Sequence, residues 1–406
     1  MSSQPKWRIL VFAEGATLAH VARPLVLTQG LSEQGFDVCF ARPPAFAWLT
    51  ADRGLREFDL DCQSAEVFAH RLERGSPLYD LETLSRYVAA DLALIQDTDP
   101  DVVVGDFRLS LAVSARVAKV PYAAICDAYW SPEAPLKPIV PVMPLTRFLP
   151  ISAAQALFSA VTPFAFRYHA RPMEALRRRY GLPTQGHDLR QAYTDADLRL
   201  FANPPVLFPE VQAHRGARFL GPVAWSPAIA APTELAEDAE LIYVTMGSSG
   251  NTAVLGAVFD ALGQVGHPAV VASAGRAIPP TPRSAQIRVF DFLPGQEVAA
   301  RSRLVICNGG SPTTNQALLA GVPILGIPTN MDQFLNMRAI EERGCGLTVR
   351  ADRASPARLV EAIARVMDRR NGYARAAEVM GAEARSMDPG AEFARCLTKL
   401  AEGVRR

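Results

Sequence analysis

Between two apolar runs the chain reads Ile306-Cys307-Asn308-Gly309-Gly310-Ser311-Pro312-Thr313-Thr314, and a second apolar run, Val322-Pro323-Ile324-Leu325-Gly326-Ile327-Pro328, follows after a short helical pattern. Two adjacent glycines allow a backbone to come close to a ligand. Residues 304–307 read as a buried strand and 312–320 as a helix about 13 Å long at the usual rise. Ser311 is the expected N-cap, Pro312 the first helical residue and Gly321 the stop. The N–H groups of Thr313 and Thr314 then sit at the positive end of a helix, where an anion such as a phosphate is favoured. The same residues also make a well-formed strand-to-helix turn with no ligand, and spacing alone does not choose between the two.

The elements that must position this loop are legible along the whole chain. Apolar runs bounded by turn residues ("RILVFA", "DVCFA", "DVVVGD", "YAAIC") alternate with amphipathic stretches in the first half. The alternation resumes with "LIYVTMGSSG", "AVVASAG", "IRVFDF", "LVICNGG" and "VPILGIP". It is the pattern of βαβ units around parallel sheets, an α/β fold. A length of 406 residues is too great for one ordinary core and suits two substantial domains. Residues 1–219 form the expected first Rossmann-like domain; 220–238, with Pro222, Pro227 and Pro232, read as a linker; 239–385 form the second domain. Residues 386–406 read as a terminal helix that packs back on the first domain. Two such halves facing each other across a cleft would place ligands beyond the carboxyl ends of their strands.

Composition excludes several classes. Forty-two basic against 41 acidic side chains give no case for a nucleic-acid partner. The six cysteines, Cys39, Cys62, Cys126, Cys307, Cys345 and Cys396, are scattered, with no metal-ligand spacing, as in a reduced, cytoplasmic protein without structural zinc. The N-terminal apolar run is too short for a signal peptide. The longest uncharged stretch, residues 148–166, is interrupted by Pro150 and Pro163 and makes a poor transmembrane segment. Nothing in the sequence reports the oligomeric state.

Residues 289–349 extend the glycine loop into a longer string. Phe292 and Pro294, Gly309 and Gly310, Thr313, Ala317 and Leu318, Gly321 to Pro323, Asp332, Gln333 and Asn336 fall in the order of the donor-binding signature of the UDP-glycosyltransferases. The chain resembles that family, the family 1 glycosyltransferases of the GT-B fold, in its bacterial natural-product form. The resemblance implies that Phe292 stacks on a nucleotide base and the Leu293 backbone bonds its edge. It implies that Asn308, Gly309, Gly310, Ser311, Thr313 and Thr314 hold a diphosphate, and that Gln316 meets the ribose. Asp332 and Gln333 would receive hydroxyls of the transferred sugar, an acceptor and donor set suited to a diol; the plain alternative is a solvated turn after Pro328. Gly247, Ser248 and Ser249, in "TMGSSG", would add donors to phosphate. Three positions depart from the family. Asn308 stands for His and carries no charge, Pro312 removes an N–H, and Gln316 replaces a carboxylate, which leaves uridine and thymidine diphosphate sugars both open.

In the first half, Ala19-His20-Val21-Ala22-Arg23-Pro24 resembles the family's Gly-His-x-x-Pro loop, and "PDVVVGD" ending at Asp106 resembles the context of its catalytic carboxylate. The resemblance makes His20 the general base for the acceptor hydroxyl and Asp106 its orienting partner. Read as isolated residues, His20 is a loop histidine and Asp106 a helix cap. The implied reaction is inverting transfer of a hexose from a nucleotide co-substrate, with no cofactor and no metal. Tyr129 and Trp130 either line an acceptor pocket for an apolar, aromatic molecule or belong to the core. Two further readings stay open. The uncharged 148–166 stretch beside Arg167, Arg171, Arg177, Arg178 and Arg179 suits a lipid acceptor met at a membrane surface, and the departures at Asn308 and Pro312 suit a non-catalytic nucleotide-binding protein.

Overall fold

In the amino-terminal part, β1 (Trp7–Ala13), β2 (Phe36–Arg42), β3 (Arg56–Asp59), β4 (Val102–Asp106), β5 (Tyr122–Cys126), β6 (Leu198–Phe201) and β7 (Ala217–Phe219) form one parallel sheet in the order β3-β2-β1-β4-β5-β6-β7. The structure is a computed structural model that describes residues 6–51, 53–135, 137–235, 240–248, 250–280 and 286–404. The last three residues of the expected linker, 236–238, and residue 239 lie outside them. β4 and β5 are buried along their whole length, as strands covered on both faces must be, which is why they read as unbroken apolar runs. The register sets Ala13 beside Asp106 and Asp106 beside Ile125, so the carboxyl ends of the central strands lie level. The first β-to-α connection leads into the helix Leu18–Leu27, and the terminal helix Pro389–Val404 packs against that helix and β4.

A second parallel sheet, β10-β9-β8-β11-β12-β13, is built from β8 (Leu241–Thr245), β9 (Ala269–Ala272), β10 (Ile287–Phe290), β11 (Ser302–Cys307), β12 (Ile324–Gly326) and β13 (Gly346–Thr348). Its core contains Val244, Ile306 and Leu325 of the strands, Phe259 of the helix Leu255–Val265 and Ile363 of the helix Pro356–Met367. Cys307 pairs with Thr245 on one side and Gly326 on the other, which sets the loops after β8 and β11 side by side.

Contacts divide the chain into two units that are not consecutive in sequence. The first holds the described residues of 1–136, 161–223 and 388–406; the second holds those of 137–160 and 224–387. Residues 137–160 join the second unit through hydrogen bonds to their backbone groups that composition does not mark. Val142 N–H donates to Thr329 O at 2.7 Å, Arg350 Nη1 to Val140 O at 2.6 Å and Arg353 Nη2 to Thr146 O at 2.9 Å. Among the described residues, no helix is long and apolar enough to cross a membrane.

Candidate functional site

His20 sits in the first turns of the helix after β1, and Asp106 is the last residue of β4. His20 Nδ1 meets Asp106 Oδ1 at 2.9 Å, and the imidazole lies on the Phe107 ring with centroids 4.9 Å apart and planes 15° from parallel. Phe107 takes φ of 58°, a left-handed conformation that costs a bulky residue energy. That turn directly after the strand end brings its ring under the imidazole. Asp106 does not cap the following helix, whose N-cap is Ser110. With Nδ1 turned to the carboxylate, His20 Nε2 is the nitrogen left to exchange a proton.

Arg23, one turn along the same helix, completes the arrangement. Its Nε and Nη2 each donate to Asp106 at 2.7 Å, and its Nη1 donates to Asp127 Oδ2 at 2.9 Å. Asp127 in turn accepts from Asn203 Nδ2 at 3.0 Å, and Asn203 Oδ1 accepts from Ala128 N–H at 2.7 Å. Burial works to raise the Asp106 carboxyl, but the Arg23 charge and hydrogen bonds and the His20 contact outweigh it and hold it below the ordinary carboxylate range. A fully buried acid is thereby kept ionised beside the imidazole.

The loop ahead of His20 is anchored from below. Glu14 accepts from Arg108 Nη1 at 3.0 Å, while Arg108 Nε donates to Asp91 at 3.0 Å and the guanidinium lies 3.6 Å from the centroid of the Tyr87 ring. Glu14, Arg108 and Asp91 are all fully buried, so each depends on the others for its charge. Burial pushes the Glu14 carboxyl up, and Arg108 offsets part of that rise.

Of the two expected acceptor residues, Trp130 is joined to the dyad through a run of rings, and Tyr129 packs on Trp130 with centroids 6.3 Å apart. Trp130 stands edge-on to Tyr193 at 5.1 Å, Tyr193 to Phe107 at 5.3 Å, and Phe107 carries His20. Tyr129 is buried against Phe208 at 5.8 Å.

In the second unit the glycine loop is held by polar contacts that fix its shape. The helix spans Ser311–Ala320, so Gly310 rather than Ser311 is the N-cap. The shift has a local cause: Asn308 Oδ1 accepts the Gly310 N–H at 3.0 Å, turning the chain one residue early. Thr314 N–H therefore makes the first helical bond, to Gly310 O at 3.2 Å, and is not open to a ligand. Its hydroxyl is engaged too, donating to Ser311 O at 3.1 Å and accepting from Asn336 Nδ2 at 2.9 Å. The N–H groups left at this helix end belong to Ser311 and Thr313. Gly309 has φ of 83°, and a Cβ there would lie 2.6 Å from Met337 Cγ, so only glycine fits. Asn336 Nδ2 also donates to Gly309 O at 2.8 Å, tying the loop to the helix Met331–Glu342.

Neighbouring residues complete this edge of the sheet. A Cβ on Gly247 would stand 3.9 Å from Asn308 Nδ2, which puts the β8 and β11 loops in reach of one ligand. Ser248 is exposed, and Ser249 lies outside the described residues. Arg276 donates to Gly250 O, adding a cation beside the same loop. Phe292 leaves 46% of its surface exposed over Gly275, while Leu293 is buried.

Gln333 and Gln316, two of the expected ligand groups, each make structural contacts. Gln333 Oε1 accepts from Thr329 N–H at 2.9 Å and from Asn330 N–H at 3.4 Å, and Asn330 Oδ1 accepts from Gln333 N–H at 3.0 Å. That is a capping box, so the amide oxygen of Gln333 is committed to the helix start. Asp332 lies in the first helical turn, where its charge suits the helix dipole. Gln316 Nε2 donates to Trp225 O at 2.5 Å, binding the incoming linker. Among the described residues no group of three or more His, Cys, Asp or Glu side chains could hold a metal ion.

Known proteins share both sequence and fold with this chain. The family described as "Erythromycin biosynthesis protein CIII-like, C-terminal domain" matches residues 256–400. A PGL/p-HBAD biosynthesis glycosyltransferase of Mycobacterium tuberculosis (strain H37Rv) is 41% identical over 92% of this chain and 89% of that protein. A PGL/p-HBAD biosynthesis rhamnosyltransferase of Mycobacterium bovis (strain BCG / Pasteur 1173P2) is 40% identical over 92% of this chain and 84% of its own length. Among solved structures, a spinosyn rhamnosyltransferase complexed with thymidine diphosphate superposes with a TM-score of 0.70 at 22% identity, covering 96% of this chain and 100% of that one.

Proposed function

The chain belongs to the glycosyltransferase family that contains the mycobacterial PGL/p-HBAD enzymes, built on the GT-B fold, and from that premise we propose an inverting transfer from a nucleoside-diphosphate sugar to the hydroxyl of an apolar, aromatic acceptor. The observation that carries the mechanism is the 2.9 Å contact between His20 Nδ1 and Asp106 Oδ1. In this reading His20 Nε2 takes the proton of the acceptor hydroxyl as its oxygen attacks the anomeric carbon. The bond from that carbon to the diphosphate oxygen breaks, and the nucleoside diphosphate leaves. Asp106 stabilises the imidazolium formed, as the acid of a hydrolytic triad does. One displacement with no covalent intermediate inverts the anomeric carbon.

The donor side follows the same economy. Phe292 offers a flat exposed face to the base, and the Leu293 backbone lies at its edge. The Ser311 and Thr313 N–H groups, Ser248 and the nearby Arg276 meet the diphosphate, with Gly309 and Gly310 permitting close approach. Arg276 supplies the charge that Asn308 lacks. Asp332 and the Gln333 amide nitrogen would meet hydroxyls of the transferred sugar. The step calls for no metal ion, and a chelator is expected to leave the rate unchanged.

The 40% identical rhamnosyltransferase and the spinosyn enzyme bound to thymidine diphosphate support a thymidine-linked deoxyhexose over a uridine-linked hexose as donor. The run of rings from His20 through Phe107 and Tyr193 to Trp130 supports an acceptor that presents an aromatic ring. A nucleotide-sugar donor supports a cytoplasmic reaction. The test is thermal unfolding with thymidine diphosphate and with uridine diphosphate at matched concentration. The larger rise in Tm is expected with the thymidine nucleotide; no rise with either would overturn the donor assignment.

A further inference from the structure

The helix Ile151–Arg179 carries a stripe of side chains that the transfer chemistry does not use. Leu157, Val161, Phe164 and Tyr168 follow at intervals of four, three and four residues, which stacks them on one side of a helix. They are 50%, 45%, 72% and 45% exposed. Single exposed apolar residues are ordinary on a protein surface; four in line are a patch.

Arg167, Arg171 and Arg178 run beside them on the exposed side, and the Arg171 guanidinium lies 5.9 Å from the centroid of the Tyr168 ring. The helix contains one carboxylate, Glu174, which is 9% exposed and accepts hydrogen bonds from Thr184 Oγ1 and Gln185 N–H. Among the described residues, the exposed side of this helix is therefore apolar and cationic, with no acid of its own to neutralise it.

A second copy of the chain fits this face poorly, because a two-fold contact would bring the arginine row against its own image. An acyl boundary beneath anionic headgroups fits both halves of the pattern: the apolar stripe enters, and the arginines reach the phosphates. We infer that this face docks on an anionic lipid surface, with the helix lying in the interface rather than crossing it. The inference goes beyond the proposed transfer and does not depend on it. For the enzyme it brings within reach an acceptor that partitions into lipid.

The test is co-sedimentation of the full chain with vesicles of phosphatidylglycerol and phosphatidylcholine in equal parts, against vesicles of phosphatidylcholine alone. Binding is expected to the first and not to the second. The pairs Leu157→Ser with Phe164→Ser, and Arg167→Glu with Arg171→Glu, should each weaken it about tenfold or more. Their Tm without ligand should stay at the wild-type value, since all four side chains are exposed. The inference is overturned if the wild-type chain stays in the supernatant with both vesicles, or if either double variant sediments as the wild type does. It is also overturned if polyglutamate competes as well as vesicles do, which marks an acidic protein as the partner. The remaining contrary result is a homodimer that Phe164→Ser dissociates, which marks the face as a self-contact.

Discussion

Arg23 grips Asp106 with two nitrogens at 2.7 Å, on the same carboxylate whose Oδ1 meets His20 at 2.9 Å. A guanidinium so placed does two things. It keeps a buried acid ionised, and through Asp127 it links the dyad to the strand end from which the Ala128–Trp130 turn leaves.

Replacing Arg23 by Met should therefore cost stability as well as activity. Asp106 and Asp127 would both lose their cation, and breaking a buried pair costs about 3–5 kcal/mol. A urea midpoint close to the wild-type value would show that the pair is not needed.

The same variant has a pH signature. A carboxyl held below its ordinary value binds its proton more weakly folded than unfolded, so it adds stability above the ordinary carboxylate range. That stability is lost as pH falls through the folded value. Without Arg23, burial dominates and the folded value rises above the unfolded one, so protonation favours the folded variant and its stability deficit against the wild type should shrink as pH falls through the carboxylate range. Urea midpoints of the two proteins at neutral and at acid pH check this; a deficit that does not change with pH would count against the assigned cause.

His20→Ala and Asp106→Asn should lower kcat by about 10²–10⁴, the usual worth of a general base. Thymidine diphosphate binding should be unchanged, because its proposed contacts come from the second unit. Calorimetric titration beside a transfer assay separates the two effects.

Phe292→Ala should raise the KM of the donor by roughly ten- to a hundredfold, the worth of about 1–3 kcal/mol for a stacked base. Its ring is 46% exposed, so Tm without nucleotide should hardly change.

Gly309→Ala should destabilise the fold by about 1–3 kcal/mol, since φ of 83° strains any other residue and the new methyl meets Met337 at 2.6 Å. Thermal unfolding measures it.

Much of the fold was legible because its signals are local. β4 and β5 announce themselves as apolar runs, and Gly309, Gly310 and Gly321 mark the ends of the loop and helix. The N-cap moved by one residue because the Asn308 side chain closes its own turn, a competition that propensity alone does not rank. Gln333 was legible as a cap: Asn330 followed three positions later by Gln is a capping-box spacing, hidden by the stronger pull of the family string. Arg23 could not be found from sequence, since its partners Asp106 and Asp127 lie 83 and 104 positions away. The same holds for residues 137–160, whose attachment to the second unit rests on Arg350 and Arg353, some two hundred residues on.

The central claim is a single displacement driven by His20, and the anomeric configuration of the product tests it most directly. Proton NMR of the glycoside made from an α-linked nucleotide sugar of the D-series should show a β linkage. An α linkage would mean two displacements or an internal return, and would contradict the account.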